Sequence, residues 1–191
     1  MNPRTTEQFE VIRKERKEAI MDAALHVFAE DGYHLASVNK IARKAGVSKG
    51  LMYNYFESKE DLLKTLIFNV MDEIMEALDV QTKKGLDKEG FIQIIDTTFD
   101  LVIKDPKFWR LYFSISIQPD VMPIIMAKMW ERAEPIMTAC TKYFEERGHK
   151  DSVVMMRYYS AVIDGVQLHY MLDPEGFPIE KVKKLIVDQF A

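Results

Sequence analysis

The sequence predicts an all-α protein of about nine helices, with an N-terminal three-helix helix-turn-helix domain and a C-terminal helical domain. Apolar residues recur at spacings of three and four along most of the chain, and nearly all of the 8 glycines and 7 prolines fall between these periodic segments. The alternating stretch FSISI at 113–117 is too short to predict a sheet. Because the composition turns from basic to acidic near residues 60–65, we place the domains at 1–62 and 63–191.

Composition excludes several classes of protein. Hydrophobic residues make up 48% of the chain and charged residues 29%, which suits a globular protein with a sizeable core. No apolar run is long enough for a membrane span or a secretory signal, so we expect no membrane partner. The single cysteine, Cys140, cannot form an intrachain disulfide, and we expect a cytoplasmic location. The four histidines lack zinc-site spacing, so we expect no metal and no other cofactor.

Serine caps and glycine stops predict the helices of the N-terminal half. Gly32 ends a first helix whose buried stripe includes Ile20, Ala24 and Phe28. Serines precede the next three helices, and the last of them has Asp61 in the position of a capping-box acid. The predicted helices begin near residues 7, 38, 49 and 59 and end near residues 31, 45, 54 and 84.

Five further helices follow, four of them opened by an aspartate that suits the N-cap position. They are predicted at about 88–104, 106–117, 121–147, 152–172 and from Pro178 to the C-terminus. Pro135 lies inside the third of them, where a missing N–H group and a steric clash predict a kink or a break.

The charge distribution indicates a single basic patch. The net charge is -4, but no acidic residue lies between Gly32 and Phe56, and four basic residues do. An acidic body with one basic patch favours a single docking orientation on a polyanion.

Residues 37–62, SVNKIARKAGVSKGLMYNYFESKEDL, have the pattern of a helix-turn-helix unit. Gly46 suits the tight turn, and Val47 fills the junction between the helices. The helix that begins after Ser48 presents N-terminal amides that can meet a phosphate. Gly50 lies inside this helix, where glycine costs about 0.5–1 kcal/mol relative to alanine. Its presence suggests a close approach, either by another helix or by a DNA backbone.

Residues 20–62 resemble the N-terminal DNA-binding domain of the TetR family of bacterial transcriptional repressors. The residues that carry the resemblance are Ile20, Ala23, Ala24, Phe28, Gly32, Tyr33, Ser37, Val38, Ile41, Ala42, Ala45, Gly46, Val47, Ser48, Gly50, Tyr53, Tyr55, Phe56, Lys59 and Leu62. The resemblance implies a repressor that binds a palindromic double-stranded DNA operator as a homodimer and is released by a small-molecule effector.

The resemblance also implies the residues that contact DNA. They are Ser37, Asn39, Lys40, Ser48, Lys49, Gly50, Met52, Tyr53, Tyr55 and Lys59. Among them, Asn39 suits an adenine, Lys49 a guanine or a phosphate, and Met52 a thymine methyl group. Serine, tyrosine and lysine side chains suit the phosphate backbone. We expect Phe56 to be a core residue and the two tyrosines to lie at the surface.

Helix 152–172 is apolar nearly all round, which indicates burial on more than one side. The resemblance implies that this helix and the last one pair with their copies in a four-helix bundle. The expected interface residues are Met155, Tyr158, Val162, Val166, Tyr170, Val182, Leu185 and Ile186. The alternative is a core helix of a monomer.

The middle of the chain is rich in methionine and aromatic residues, which suit an adaptable apolar pocket. The candidate pocket residues are Met71, Met75, Trp109, Tyr112, Phe113, Met126, Trp130, Met137 and Tyr159. Few charges fall in 108–130, so we expect an apolar or amphipathic effector. A plain core at these positions is the alternative.

Two other classes of function stay open. A small helical enzyme is disfavoured because no nucleophile–base pair or phosphate loop is visible, and Asp164 and His169 are five residues apart on one helix. Cys140 suits an inert core position. A helical scaffold or protein-binding module with an inactive DNA head is the other alternative.

Overall fold

A computed structural model of the chain describes residues 6–82 and 85–191. Within these ranges the chain forms nine α-helices and no strand, which confirms the predicted all-α class. The helices are α1 (Thr6–Asp31), α2 (Val38–Lys44), α3 (Lys49–Tyr53), α4 (Lys59–Thr82), α5 (Lys88–Lys104), α6 (Pro106–Ser116), α7 (Met122–Glu146), α8 (Ser152–Leu172) and α9 (Ile179–Phe190).

The start of α4 shows how local chemistry defines these boundaries. The Ser58 hydroxyl accepts a hydrogen bond from the Asp61 amide at 2.9 Å, and the Asp61 carboxylate accepts one from the Glu57 amide at 2.9 Å. Two amides that have no partner within the helix are satisfied in this way. The turn between α2 and α3 depends on Gly46, whose φ of 67° lies in the left-handed region.

Pro135 does not break α7, so of the two predicted outcomes the break is wrong and the kink stays a prediction. The helix runs through the proline for 25 residues. One lost hydrogen bond is a small part of so long a ladder, and Cys140 and Phe144 anchor the following turns in the core at 1% and 0% exposure.

The chain forms two compact units. Unit 1 contains the chain up to Asn69 together with Leu111–Ile125, and unit 2 contains Val70–Arg110 and Met126–Ala191. The limits 1–62 and 63–191 stay a prediction about functional domains. The compact units differ from them, because unit 1 also contains a distant segment that no sequence pattern indicated. The buried residues of this segment are Tyr112, Ile115, Ser116, Val121 and Ile125.

Unit 2 has an aromatic core. The rings of Phe91 and Tyr143 stack at 4.3 Å, and Phe91 also lies 5.0 Å from the ring of Tyr159. Aromatic pairs of this kind stabilise a fold beyond their burial alone. None of the helices in the described part of the chain combines the length and apolar character that crossing a bilayer requires.

Candidate nucleic-acid interface and effector cavity

The start of α3 presents hydrogen-bond donors to solvent. The Ser48 hydroxyl accepts a hydrogen bond from the Leu51 amide at 3.0 Å, which caps the helix. Ser48, Lys49 and Gly50 are all exposed. Lys49 makes no ion pair with any residue of the described ranges. The remaining amides at this end and the lysine charge together suit an anion such as a phosphate.

A second exposed cap precedes α2. The Ser37 hydroxyl accepts a hydrogen bond from the Lys40 amide at 3.1 Å, and the last turn of α2 carries Arg43 and Lys44. Asn39 is exposed in the first turn. Polar and basic side chains therefore reach solvent from both helices of the helix-turn-helix.

Within the part of the chain that the structure describes, nothing requires a glycine at position 50. Its φ lies outside the left-handed region. A Cβ atom built there meets no atom within 4 Å, so no other helix approaches it in the described structure. Of the two partners that the sequence suggested for a close approach, another helix of this chain is therefore not found at Gly50.

The aromatic residues after Gly50 divide as predicted between surface and core. Tyr53 is 45% exposed and Phe56 is 2% exposed. Tyr55 is half-buried. Met52 differs from the prediction, because it is 1% exposed and lies in the core of unit 1. The predicted contact between Met52 and a thymine methyl group is therefore wrong, because Met52 belongs to the buried apolar face of α3.

The ammonium group of Lys59 holds a turn of the protein. Its Nζ donates to the carbonyl oxygens of Tyr33 at 2.9 Å, Ala36 at 3.0 Å and His34 at 3.1 Å. The ammonium also lies 4.7 Å from the centre of the Tyr33 ring. Since lysine has three N–H donors and all three are used, the phosphate contact of Lys59, which stays a prediction, would have to replace one of these hydrogen bonds.

Lys40 is also engaged within the protein. Its ammonium forms an ion pair with Asp31 at 2.6 Å. The predicted DNA contact of Lys40 therefore competes with a local partner, whereas Lys49 has none among the described residues.

Unit 2 contains a cavity of about 460 Å³ between α4, α5, α7 and α8. Five of the expected pocket residues line it, namely Met71, Met75, Trp130, Met137 and Tyr159. The sequence interpretation missed a polar series on α8, whose members line the same cavity: Arg157, Ser160 and Asp164. Their spacing of three and four residues places them on one helical face, and this periodicity was a signal that could have found them.

Four expected pocket residues do not line this cavity: Trp109, Tyr112, Phe113 and Met126. The Trp109 indole instead donates to the Leu101 carbonyl oxygen at 2.7 Å. In unit 1, the Tyr112 hydroxyl donates to the Ile67 carbonyl oxygen at 3.4 Å, and Tyr112 meets Phe113 edge-on. Aromatic content predicted burial at these positions, but the neighbouring backbone decides where each ring lies.

The cavity contains polar atoms in a mostly apolar wall. Burial raises the pKa of the Tyr159 hydroxyl above its ordinary range and that of the Cys140 thiol to about 12, so both stay protonated at neutral pH. Burial also raises the pKa of the Asp164 carboxyl. The Arg157 guanidinium lies 5.9 Å from the centre of the Trp130 ring, also beside the cavity. This arrangement suits an apolar ligand with a polar or anionic group.

The expected dimer residues divide into three groups. Tyr158 and Leu185 are exposed, at 47% and 65%. Four others are partly buried against the core of their own chain: Met155, Val162, Val166 and Val182. Tyr170 and Ile186 are 7% and 3% exposed, so an interface role for these two is wrong, because they fill the core of their own chain. Val154, Leu168 and Leu172 are exposed apolar residues of α8 that the interpretation missed.

Comparison with known proteins gives a family match for the helix-turn-helix part of the chain. Residues 20–66 match the model of the family described as bacterial regulatory proteins, tetR family. The fatty acid metabolism regulator protein of Bacillus subtilis (strain 168) is 41% identical over 87 residues, which is 45% of this chain and 45% of that protein. The match thus spans less than half the length of that relative. The HTH-type transcriptional regulator BetI 1 of Chromohalobacter salexigens is 24% identical over 180 residues, 91% of this chain and 87% of that protein.

Solved structures are similar in fold over most of the chain. The regulator FadR from Bacillus subtilis, solved in complex with stearoyl-CoA, has a TM-score of 0.73 at 23% identity, covering 91% of this chain and 96% of that chain. A fatty acid metabolism regulator from Clostridium perfringens has a TM-score of 0.74 at 22% identity, covering 90% and 96%. The named relatives are regulators and not enzymes. Residues 20–66, which contain the helix-turn-helix, therefore match the tetR family of bacterial regulatory proteins, and the chain is similar in fold to solved regulators.

Proposed function

We propose that the protein is a ligand-responsive repressor that binds a palindromic operator as a homodimer in the cytoplasm and is released by an amphipathic long-chain molecule. The observation that carries the DNA-binding part is Gly50, an exposed helical glycine that neither the backbone nor any neighbouring atom requires. A residue that weakens its own helix without an internal reason favours the close approach of an external partner. The basic and capped start of α3 favours an anionic duplex as that partner.

DNA binding would use α3 as the recognition helix. Its N-terminal amides and Lys49 suit one phosphate or a guanine edge, and Tyr53 offers a hydroxyl on the exposed side. Ser37 and Asn39 extend the same surface from α2. Several neutralised phosphates would make the affinity fall steeply with salt.

Dimerisation supplies the second half of the recognition surface. α3 has only 5 residues, and so short a helix reads few base pairs. Two copies related by a two-fold axis would read half-sites separated by roughly 34–36 Å or a multiple of it. We propose that the exposed apolar face of α8 and α9 forms the interface, with Tyr158, Leu168 and Leu185 at its centre. Exposed apolar residues gathered on one pair of helices are typical of such an interface.

The proposed effector carries a long apolar chain and a polar head. The cavity of about 460 Å³ falls in the range of small-molecule sites, and four of its lining residues are methionines, which adapt to flexible chains. The FadR structure with stearoyl-CoA and the fatty acid metabolism regulators among the relatives favour an acyl-CoA or a fatty acid. Arg157 beside Trp130 suits the anionic part of such a molecule.

Release would follow from linkage. If the effector binds better to a conformation that does not fit the operator, it lowers operator affinity, and DNA lowers effector affinity by the same factor. Couplings of this kind are typically about 1–3 kcal/mol.

The experiment begins with selection of bound duplexes from a random pool by the purified protein. We expect an enriched palindrome, and an affinity for it that falls when hexadecanoyl-CoA is added. Gly50→Ala should lose at least about tenfold in operator affinity, although alanine favours the helix by about 0.5–1 kcal/mol. The unfolding temperature of the variant is therefore the control, and it should not fall.

Two results would contradict the proposal. If no duplex is enriched at low salt, the scaffold or protein-binding alternative is favoured. If Gly50→Ala binds the selected duplex as tightly as the wild type, Gly50 does not face DNA.

A further inference from the structure

One side chain joins the turn after α6 to the end of α1. Gln118 lies two residues beyond Ser116, the last residue of α6, and its side-chain amide makes two hydrogen bonds within unit 1. Its Oε1 accepts from the Tyr33 amide at 2.7 Å, and its Nε2 donates to the Phe28 carbonyl oxygen at 3.1 Å. Because one partner is an N–H and the other a carbonyl, the orientation of the amide is set by its neighbours.

Both partners are backbone groups at the end of α1, where the helix itself does not supply every hydrogen-bond partner. α1 ends at Asp31, so the Tyr33 amide has no helical acceptor. The side chain of Gln118, 85 residues further along the chain, supplies an acceptor for this amide. The Phe28 carbonyl accepts both the Gly32 amide at 3.1 Å and the Gln118 side chain. The end of α1 is therefore held by a residue of a distant segment.

The backbone of Gln118 is equally constrained. Its amide donates to the Ile115 carbonyl at 3.1 Å, and its carbonyl accepts from the amides of Val121 at 2.9 Å and Met122 at 3.0 Å. It therefore closes α6 and opens α7 at once. Hydrogen bonds of its own backbone therefore fix the position from which the Gln118 side chain extends.

The held turn leads directly into the helix-turn-helix. Lys59 donates hydrogen bonds to the carbonyls of residues 33, 34 and 36, and Ser37 then caps α2. The peptide groups between α1 and α2 are thus held by two side chains, Gln118 and Lys59, that approach from distant parts of the sequence. The position of α2, and through Gly46 that of α3, depends on this turn.

We propose that Gln118 is a positioning residue, which holds the helix-turn-helix in its DNA-binding position through the backbone groups of Phe28 and Tyr33. The inference rests on the proposed function, since it concerns how the operator-binding surface is held.

The test uses the full-length protein and the duplex that the wild type selects from a random pool. Gln118→Ala removes both hydrogen bonds, and Gln118→Glu keeps the acceptor for Tyr33 but places a carboxylate against the Phe28 carbonyl. Gln167→Ala is the matched control, because Gln167 donates to the Thr98 carbonyl at 3.2 Å within unit 2. Affinity for the selected duplex, affinity for a scrambled duplex, and amide hydrogen exchange are measured for each protein.

We expect Gln118→Ala to lose about tenfold in affinity for the selected duplex, with much less loss for the scrambled duplex. The slope of affinity against salt should stay that of the wild type, because no phosphate contact is removed. Exchange of the Tyr33 amide should accelerate at least about tenfold, while exchange in α8 stays unchanged. Gln118→Glu should fall between Gln118→Ala and the wild type.

The proposal is overturned if Gln118→Ala discriminates the two duplexes as the wild type does, or if Gln167→Ala loses as much discrimination. Equal loss on both duplexes together with faster exchange throughout unit 1 also overturns it, since Gln118 would then be a general stabilising residue. Failure of the proposed function looks different, because the wild type itself would select no duplex.

Discussion

The ammonium group of Lys40 lies 2.6 Å and 2.7 Å from the two carboxylate oxygens of Asp31. The pair joins the first turn of α2 to the last residue of α1, and both side chains are partly exposed. One positive charge of the basic patch is thereby matched inside the protein, while Lys49 has no such partner among the described residues. The two lysines should therefore contribute differently to DNA binding.

Replacing each lysine separately should show this difference. Lys49→Ala should weaken binding to the selected duplex and reduce the slope of log affinity against log salt by about 1, because one phosphate contact is lost. Lys40→Ala should change the slope much less, because the Lys40 charge is already matched by Asp31 and is not free to neutralise a phosphate. Gel-shift titrations at three salt concentrations measure both slopes. Equal slopes for the two variants would contradict the assignment of Lys49.

The serine caps offer a second comparison. Ser48→Ala and Ser58→Ala each remove an N-cap hydrogen bond, of 3.0 Å and 2.9 Å, and each should cost about 1 kcal/mol of stability. Only Ser48→Ala should also lower operator affinity, because Ser48 opens the proposed recognition helix and Ser58 opens α4. Denaturant unfolding and gel shift are measured on the same preparations. A parallel loss of affinity in both variants would mean that stability alone limits DNA binding.

Tyr159→Phe tests the cavity. The Tyr159 side chain is 5% exposed and lines the cavity, and its hydroxyl makes no hydrogen bond with any described residue. Removing the hydroxyl should leave stability unchanged and lower the affinity for hexadecanoyl-CoA about fivefold, the effect of losing one hydrogen bond. Tyr143→Phe is the control, since that hydroxyl donates to Ala191 at 3.2 Å and lies outside this cavity. Calorimetric titration compares them, and equal affinities would remove Tyr159 from the site.

The proposed dimer face can be tested with one charge. Leu168 is 49% exposed on α8, and Leu168→Glu should place a carboxylate in an apolar interface and shift the protein towards the mass of a single chain. Ile117→Glu is the matched control, because Ile117 is 70% exposed but lies in unit 1. Analytical ultracentrifugation measures the result. A dimer that persists in Leu168→Glu would place the interface elsewhere.

Alkylation of Cys140 should be slow in the folded protein, and its rate should depend on whether the cavity is occupied. Burial raises the pKa of its thiol to about 12, so the reactive thiolate is scarce at pH 8 and becomes more abundant as the pH rises towards 12. We expect iodoacetamide to label the folded protein far more slowly than the unfolded chain. A bound long-chain ligand should slow labelling further, because Cys140 lines the cavity. Labelling of the folded protein at the unfolded rate would show that this thiol is accessible.

The secondary structure and the helix-turn-helix could be predicted from sequence because their signals are local. A serine cap, a glycine stop and an apolar period each act within a few residues, so the nine helices follow with boundaries close to those observed. The same holds for Gly50 and Phe56, whose positions on α3 and after it are set by helical spacing.

The tertiary structure alone decided which side of a helix is buried and which distant group meets it. Met52 lies in the core, and the Lys59 ammonium donates to three carbonyl oxygens. Tyr170 and Ile186 are buried in their own chain. Gln118 belongs to no recognisable sequence motif. Its two side-chain hydrogen bonds exist only because residues 111–125 pack within unit 1. Contacts across 85 residues depend on the folded arrangement of every element between them, and no local pattern encodes that.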